Sequence, residues 1–111
     1  GQTVEIWIGG GGSAARDRAA RFGKGWHPLA TLDDFTPRVP KMIESLEAHN
    51  RDGSDLIIAP RVEIRDLPDL NSVKKWAAAG ADELIVNVGT SDLTQLREGL
   101  AHVAQLSSMM T

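Results

Sequence analysis

At 111 residues the chain can bury a core as one domain, or form part of a larger one. It has no cysteine, which excludes disulfides, thiolate metal sites and thiol catalysis and is consistent with a reducing compartment. A net charge of −3 lacks the basic footprint of a nucleic-acid binder, and no apolar run approaches the ~20 residues that cross a bilayer, so a cytoplasmic α/β protein is the default expectation. The chain opens without an initiator Met, with no charged and apolar leader, and enters a strand almost at once. It is therefore expected to be a fragment or a processed chain.

The elements alternate by hydrophobic period. Val4 to Ile8 reads as a first strand, followed by Gly9-Gly10-Gly11-Gly12 and a helix from about Ser13 to Phe22. That helix places Ala15, Ala19 and Phe22 on one face and Arg16, Arg18 and Arg21 largely off it; Gly23 closes it in the manner of a C′ residue. Lys24-Gly25-Trp26-His27-Pro28 separates two helices and ends in a turn, but is short for a strand. The second helix carries Phe35, Val39, Met42, Ile43 and Leu46 as one continuous apolar stripe. Thr31, Asp33 or Asp34 caps its start, Pro37 suits only its first turn, and Pro40 is expected to bend or delay it.

After a loop at Arg51–Ser54, Leu56 to Ile64 reads as the next strand, with a bulge or strand end expected near Pro60. A helix from about Asp69 to Ala79 buries Leu70, Val73 and Ala77 and ends at Gly80. Glu83 to Val88 is a strand apolar on both faces. Ser91 or Asp92 then caps a last helix that turns Leu93, Leu96, Leu100 and Val103 inward and frays from Ser107 to Thr111. Strands buried on both faces and joined through helices imply a parallel sheet covered by helices. Four such units, of ~25 residues each, make half of a (β/α)₈ barrel of ~250 residues.

The glycine run carries the chemistry. A strand that breaks into glycines and then a helix start aims unpaired backbone N–H groups and the positive end of a helix dipole at one spot, where a phosphate or carboxylate sits. Glycines allow the close approach, and Ser13 can donate its hydroxyl or cap the helix. The plainer alternative is a tight turn without a ligand, although four consecutive glycines exceed what a turn needs. Gly9-x-Gly11-x-x-Ala14 also fits a dinucleotide fingerprint, but Asp33 and Asp34 fall only roughly where a ribose-binding acid belongs and read better as caps. No Gly-Lys-Ser/Thr follows, so the loop is not a Walker motif.

The run Ile6-Trp7-Ile8-Gly9-Gly10-Gly11-Gly12-Ser13-Ala14-Ala15, with Arg18-Ala19-Ala20-Arg21 and Gly25-Trp26-His27-Pro28, resembles the second half of luciferase-like flavin or deazaflavin oxidoreductases. Ala59-Pro60-Arg61-Val62 and Ala79-Gly80-Ala81-Asp82-Glu83-Leu84-Ile85-Val86 are similar to that family's closing units. The resemblance covers nearly the whole chain. It implies a TIM barrel of which residues 1–111 form a single half-barrel domain, strands five to eight with their helices. It further implies an FMN- or coenzyme F420-dependent oxidoreductase or monooxygenase, with Gly9, Gly10, Gly11, Gly12 and Ser13 as the cofactor phosphate site. The family's catalytic side chains belong to the other half of the barrel, so the isolated chain is expected to be inactive. Its partner is then the missing N-terminal half or a second copy of itself, and its substrate a small organic molecule. Two further functions stay open: a non-catalytic half-barrel module that homodimerises, and a small Rossmann-like nucleotide binder.

Other residues carry weaker signals. His27 falls on the face where barrel active sites lie, or is a packed loop histidine, and Trp26 reads as a core plug before a cofactor-stacking residue. His49 suits a helix C-terminus, and His102 reads as surface. Three scattered histidines without cysteine make a metal site unexpected. Arg16 is a solvated residue or a contact for an anionic cofactor tail; Arg61 reaches the barrel mouth or forms an ion pair. Asn87 is an interior hydrogen-bonding residue or a ligand contact, and Trp7 and Trp76 are packing residues.

Overall fold

The computed structural model of the chain describes residues 5–88 and 92–110, the side chains of residues 96, 107, 109 and 110 excepted. Strands β1 (Trp7–Gly9), β2 (Gly25–His27) and β3 (Ile57–Ile58) pair in parallel in that order, and β4 (Arg61–Glu63) pairs in parallel with β5 (Ile85–Asn87). β3 and β4 are the two halves of the predicted Leu56–Ile64 strand, divided at Ala59-Pro60 because Pro60 has no ladder donor. The ladder to β2 nevertheless runs on, through Ala59 N–H to Trp26 O (2.8 Å), Arg61 N–H to Pro28 O (2.9 Å) and a Leu29–Arg61 bridge. Parallel strands in chain order, joined by helices, give an α/β arrangement consistent with part of a TIM-barrel-like fold. Val4 lies outside the described residues.

Helices α1 (Ser13–Phe22), α2 (Leu32–Phe35), α3 (Arg38–Ala48), α4 (Leu70–Ala78) and α5 (Leu93–Met110) follow the strands. Ala19, Ala20, Phe35, Met42, Leu46, Val73, Trp76 and Leu106 from these helices form one core with Trp26, Ile58 and Val62 of the sheet. Alternation then puts Trp7, Gly25, His27, Leu29, Arg61, Glu63, Ile85 and Asn87 on the opposite face, helix-free among the described residues. None of the described helices is long and apolar enough to cross a membrane.

Several expectations shift. Lys24–Pro28 does contain a strand, β2, which lies between β1 and β3; Gly25 is required there because a Cβ would run into the Trp7 ring. The stripe from Phe35 to Leu46 faces the core, but two helices carry it. Pro37 cannot continue α2, while Pro40 sits in the first turn of α3, where no N–H is needed. Thr31 caps α2 by accepting the Asp34 N–H (3.2 Å). Gly23 ends α1 with extended backbone (φ −74°), not the left-handed C′ geometry; a Cβ there would lie 2.8 Å from Ala19 O. Gly80 (φ +114°) does take the left-handed conformation, packed on Val39.

The helix faces are also corrected in part. Phe22 is 59% exposed, Leu93 60% and Leu100 55%, and Ala77 is exposed while Trp76 is buried in its place. α5 is rotated from the predicted face because buried Gly99 brings it close to Val88 and Ile64: Val103 is half-buried as expected, Leu106 is buried in place of Leu100, and the Leu96 side chain lies outside the described ones. It continues as a helix to Met110 without fraying at Ser107, Asp92 accepts the Gln95 N–H (2.9 Å), and Ser91 lies outside the described residues. His102 is half-buried, with Nε2 2.6 Å from Leu67 O, because the same rotation carries it toward the sheet. His49 is the C-cap of α3, and its ring meets Asp17 of α1 (3.2 Å).

The Arg51–Ser54 loop is ordered by a short 3₁₀ turn, Gly53–Asp55. Asp52 accepts the Ser54 N–H (2.7 Å) and hydroxyl (2.9 Å), and Asp55 accepts the Asp52 N–H (2.8 Å). The bonds from the Ser54 N–H, then its hydroxyl, hold the Asp52 carboxyl below its usual 3.8. A depressed folded-state pKa gives stability that is present above the unfolded value and lost as pH falls through the folded one. Asp52→Asn is therefore expected to lower the urea midpoint at pH 7 and to lose that deficit in acid, as pH falls below 3.8 and through the depressed folded-state value. An equal deficit at both pH values would contradict the assignment.

Candidate functional site

β1 ends at Gly9, Gly10 turns the chain, and α1 starts at Ser13 with Gly12 as its N-cap. Ser13 is thus the first helical residue and does not cap; Gly12 holds that position without a side-chain bond, and its carbonyl accepts the Arg16 N–H (3.0 Å). Gly10 has φ +94°, where a Cβ would lie 3.1 Å from that of Ala15. Among the described residues, the backbone N–H groups of Gly11 to Ala15 donate to no protein acceptor, as the open first turn of a helix requires.

Side chains from two other elements meet this loop. The Trp26 indole N–H of β2 donates to Gly10 O at 2.8 Å. The Arg38 guanidinium, from the first turn of α3, lies against Gly11 so closely that a Cβ there would run into it, with Cζ only 2.9 Å away. Arg38 is half-buried and forms no ion pair among the described residues. Sequence reasoning missed it, although a signal was available: an arginine in a helix first turn opposes the dipole, so local helix stability does not account for it.

His27 ends β2 in register with Gly9, and its Cε1 is 3.4 Å from the position of a Gly9 Cβ. Trp7 lies beside it, ring centroids 6.5 Å apart. The structure therefore brings together Gly9–Gly12, Ser13, His27 and Arg38, with Trp26 beneath. Arg61 and Asn87 lie on the helix-free face at β4 and β5. Asn87 donates to Glu63 (3.2 Å), and Arg61 is exposed with no ion pair among the described residues. Arg16, in α1, is half-buried.

Two cavities lie apart from the glycine loop. One of about 300 Å³ lies on the helix side, between α4 and α5, with Leu67, Leu84, Val86 and Val103 in its wall. Asp82 at its rim is committed to the fold, accepting the Ile58 N–H at 2.8 Å. Among the described residues no group of three or more His, Asp or Glu could hold a metal ion.

No protein-family model matches the chain, and no curated protein sequence matches it. In three dimensions it is similar to the coenzyme F420 dependent tetrahydromethanopterin reductase from Methanopyrus kandleri, with 12% sequence identity and a TM-score of 0.61. The match covers 75% of this chain and 44% of that one, so the chain spans less than half of that protein's length. At this identity the likeness concerns the fold.

Proposed function

We propose that the chain is the C-terminal half of a luciferase-like (β/α)₈ oxidoreductase that uses FMN or coenzyme F420, and that Gly9–Gly12 and Ser13 take the cofactor's phosphate. One observation carries this: amides at the start of α1 stand beside Arg38, and among the described residues neither those amides nor Arg38 has a hydrogen-bond acceptor or ion-pair partner. Backbone donors with a guanidinium suit a phosphate, and glycine at position 11 lets the Arg38 guanidinium lie directly against the loop. The sequence resemblance and the cofactor in the structural neighbour's name support the same reading. The end of β2 carries His27 instead of an acid, which favours phosphate over ribose recognition and weakens the Rossmann alternative.

When bound, the cofactor supplies the hydride chemistry; this chain anchors it and forms part of the barrel wall. No residue of the chain is assigned a hydride-transfer role, and the whole enzyme includes a second set of β/α units over the helix-free face. A second reading rests on that face. Trp7, Leu29 and Ile85 are 36%, 62% and 40% exposed there, a surface that a second copy of the chain would cover in a homodimeric half-barrel module.

Titrating the chain with inorganic phosphate, FMN, coenzyme F420 and NAD separates these readings. The expected result is binding of phosphate and of FMN or F420, weakened about tenfold in Arg38→Gln. Binding of NAD alone would favour the nucleotide binder, and turnover by the isolated chain would overturn the half-enzyme reading. A monomer by sedimentation would remove the homodimer.

A further inference from the structure

We infer that Trp26 is the positioning residue that sets the polarity of the glycine loop, turning the Gly10–Gly11 peptide so that its N–H faces outward. The inference uses the phosphate-site reading only for its consequence; the loop conformation is testable without any ligand. Trp26 is fully buried, stacked on Phe35 (centroids 6.2 Å apart), so its indole N–H needs an internal acceptor. It takes Gly10 O at 2.8 Å, across 16 residues of chain.

That carbonyl and the Gly11 N–H belong to one planar trans peptide, in which the two bonds point in opposite directions. Holding the oxygen down on the core therefore aims the Gly11 N–H away from it, past the Arg38 guanidinium that flanks Gly11. The Gly11 N–H has no acceptor among the described residues. Between two glycines, rotation of the peptide meets little steric resistance, so the glycines alone do not choose which end faces outward. Turned over, the peptide would present a carbonyl oxygen beside Arg38 and repel an anion. The glycines make the approach possible, and the tryptophan decides its sign.

The test is Trp26→Phe, which keeps an aromatic ring in the core and removes the donor. In amide NMR of the ligand-free chain, the Gly10 and Gly11 resonances are expected to move or broaden while α3 and α4 resonances hold. Affinity for inorganic phosphate is expected to fall about tenfold. Should that variant not fold, exchange of the wild-type Trp26 indole proton decides: slow exchange supports the bond, and exchange as fast as that of a solvated indole overturns it. Unmoved Gly10 and Gly11 resonances in a folded variant would also overturn the inference. A loop response without phosphate binding by the wild-type chain would uphold Trp26 and sink the phosphate site instead.

Discussion

Arg51→Met is expected to destabilise the fold by about 3 kcal/mol and to lower its melting temperature by about 10–20 °C. The Arg51 guanidinium donates to four carbonyls: Nη1 to Ala19 O (3.1 Å) and Ala20 O (2.9 Å), Nη2 to Gly23 O and Asp55 O (both 2.7 Å). Three of these close the end of α1, where a cation also suits the helix dipole; the fourth ties in the 3₁₀ turn before β3. Hydrogen bonds from a charged donor contribute about 1.5–3 kcal/mol each, but two nitrogens share the work at a half-exposed site, so the total falls well short of a fourfold sum. Met keeps the apolar stem and leaves the carbonyls unsatisfied. Lysine is expected to recover little, since one ammonium cannot span the four acceptors. Urea denaturation of the three proteins checks this, and an unchanged midpoint for Arg51→Met would refute it.

Arg51 also shows where the sequence stops being legible. Its four partners lie 4 to 32 residues away, and no local pattern marks an arginine as their common donor. The apolar periods were legible: α1 runs over Ser13–Phe22 as predicted, and Phe35, Met42 and Leu46 are fully buried. β2 was obscured because Gly25 and Trp26 complement Trp7 and Phe35, tertiary neighbours that a short window does not contain. The inner face of α5 was misread because Gly99 has no hydrophobicity to register, yet it sets the closest approach of that helix.

At the candidate site the division is similar. Four consecutive glycines announce a close approach of backbone to something, and position 10 does need a positive φ. Arg38 and Trp26 reach the same loop from later units, so only the fold brings their chemistry to it. Arg61, Glu63 and Asn87 share the helix-free face, but at β4 and β5. In the barrel proposed here, that face points inward. Its mixture of exposed apolar and polar side chains is then the lining of an interior that the remaining units complete.

Phe35→Ala is expected to cost about 3–5 kcal/mol, a large share of the stability of an ordinary domain. Phe35 is fully buried, with its ring 6.2 Å from that of Trp26 and 5.3 Å from that of Trp76, so it joins the second β/α unit to α4. Removing it opens a cavity between two tryptophans, which rigid helices refill only in part. A lower urea midpoint and a weaker near-ultraviolet dichroism from the tryptophans are the expected readings; a midpoint within about 1 kcal/mol of wild type would show that the site collapses without penalty. The effect is expected to reach the loop, because the ring that supports Trp26 also fixes the direction of its indole N–H toward Gly10 O. Phe35→Leu isolates that link: it fills much of the volume and remains folded, yet loses the flat contact. If Trp26 holds the loop through this stack, the Gly11 amide resonance moves in Phe35→Leu in the same direction as in Trp26→Phe, and by less.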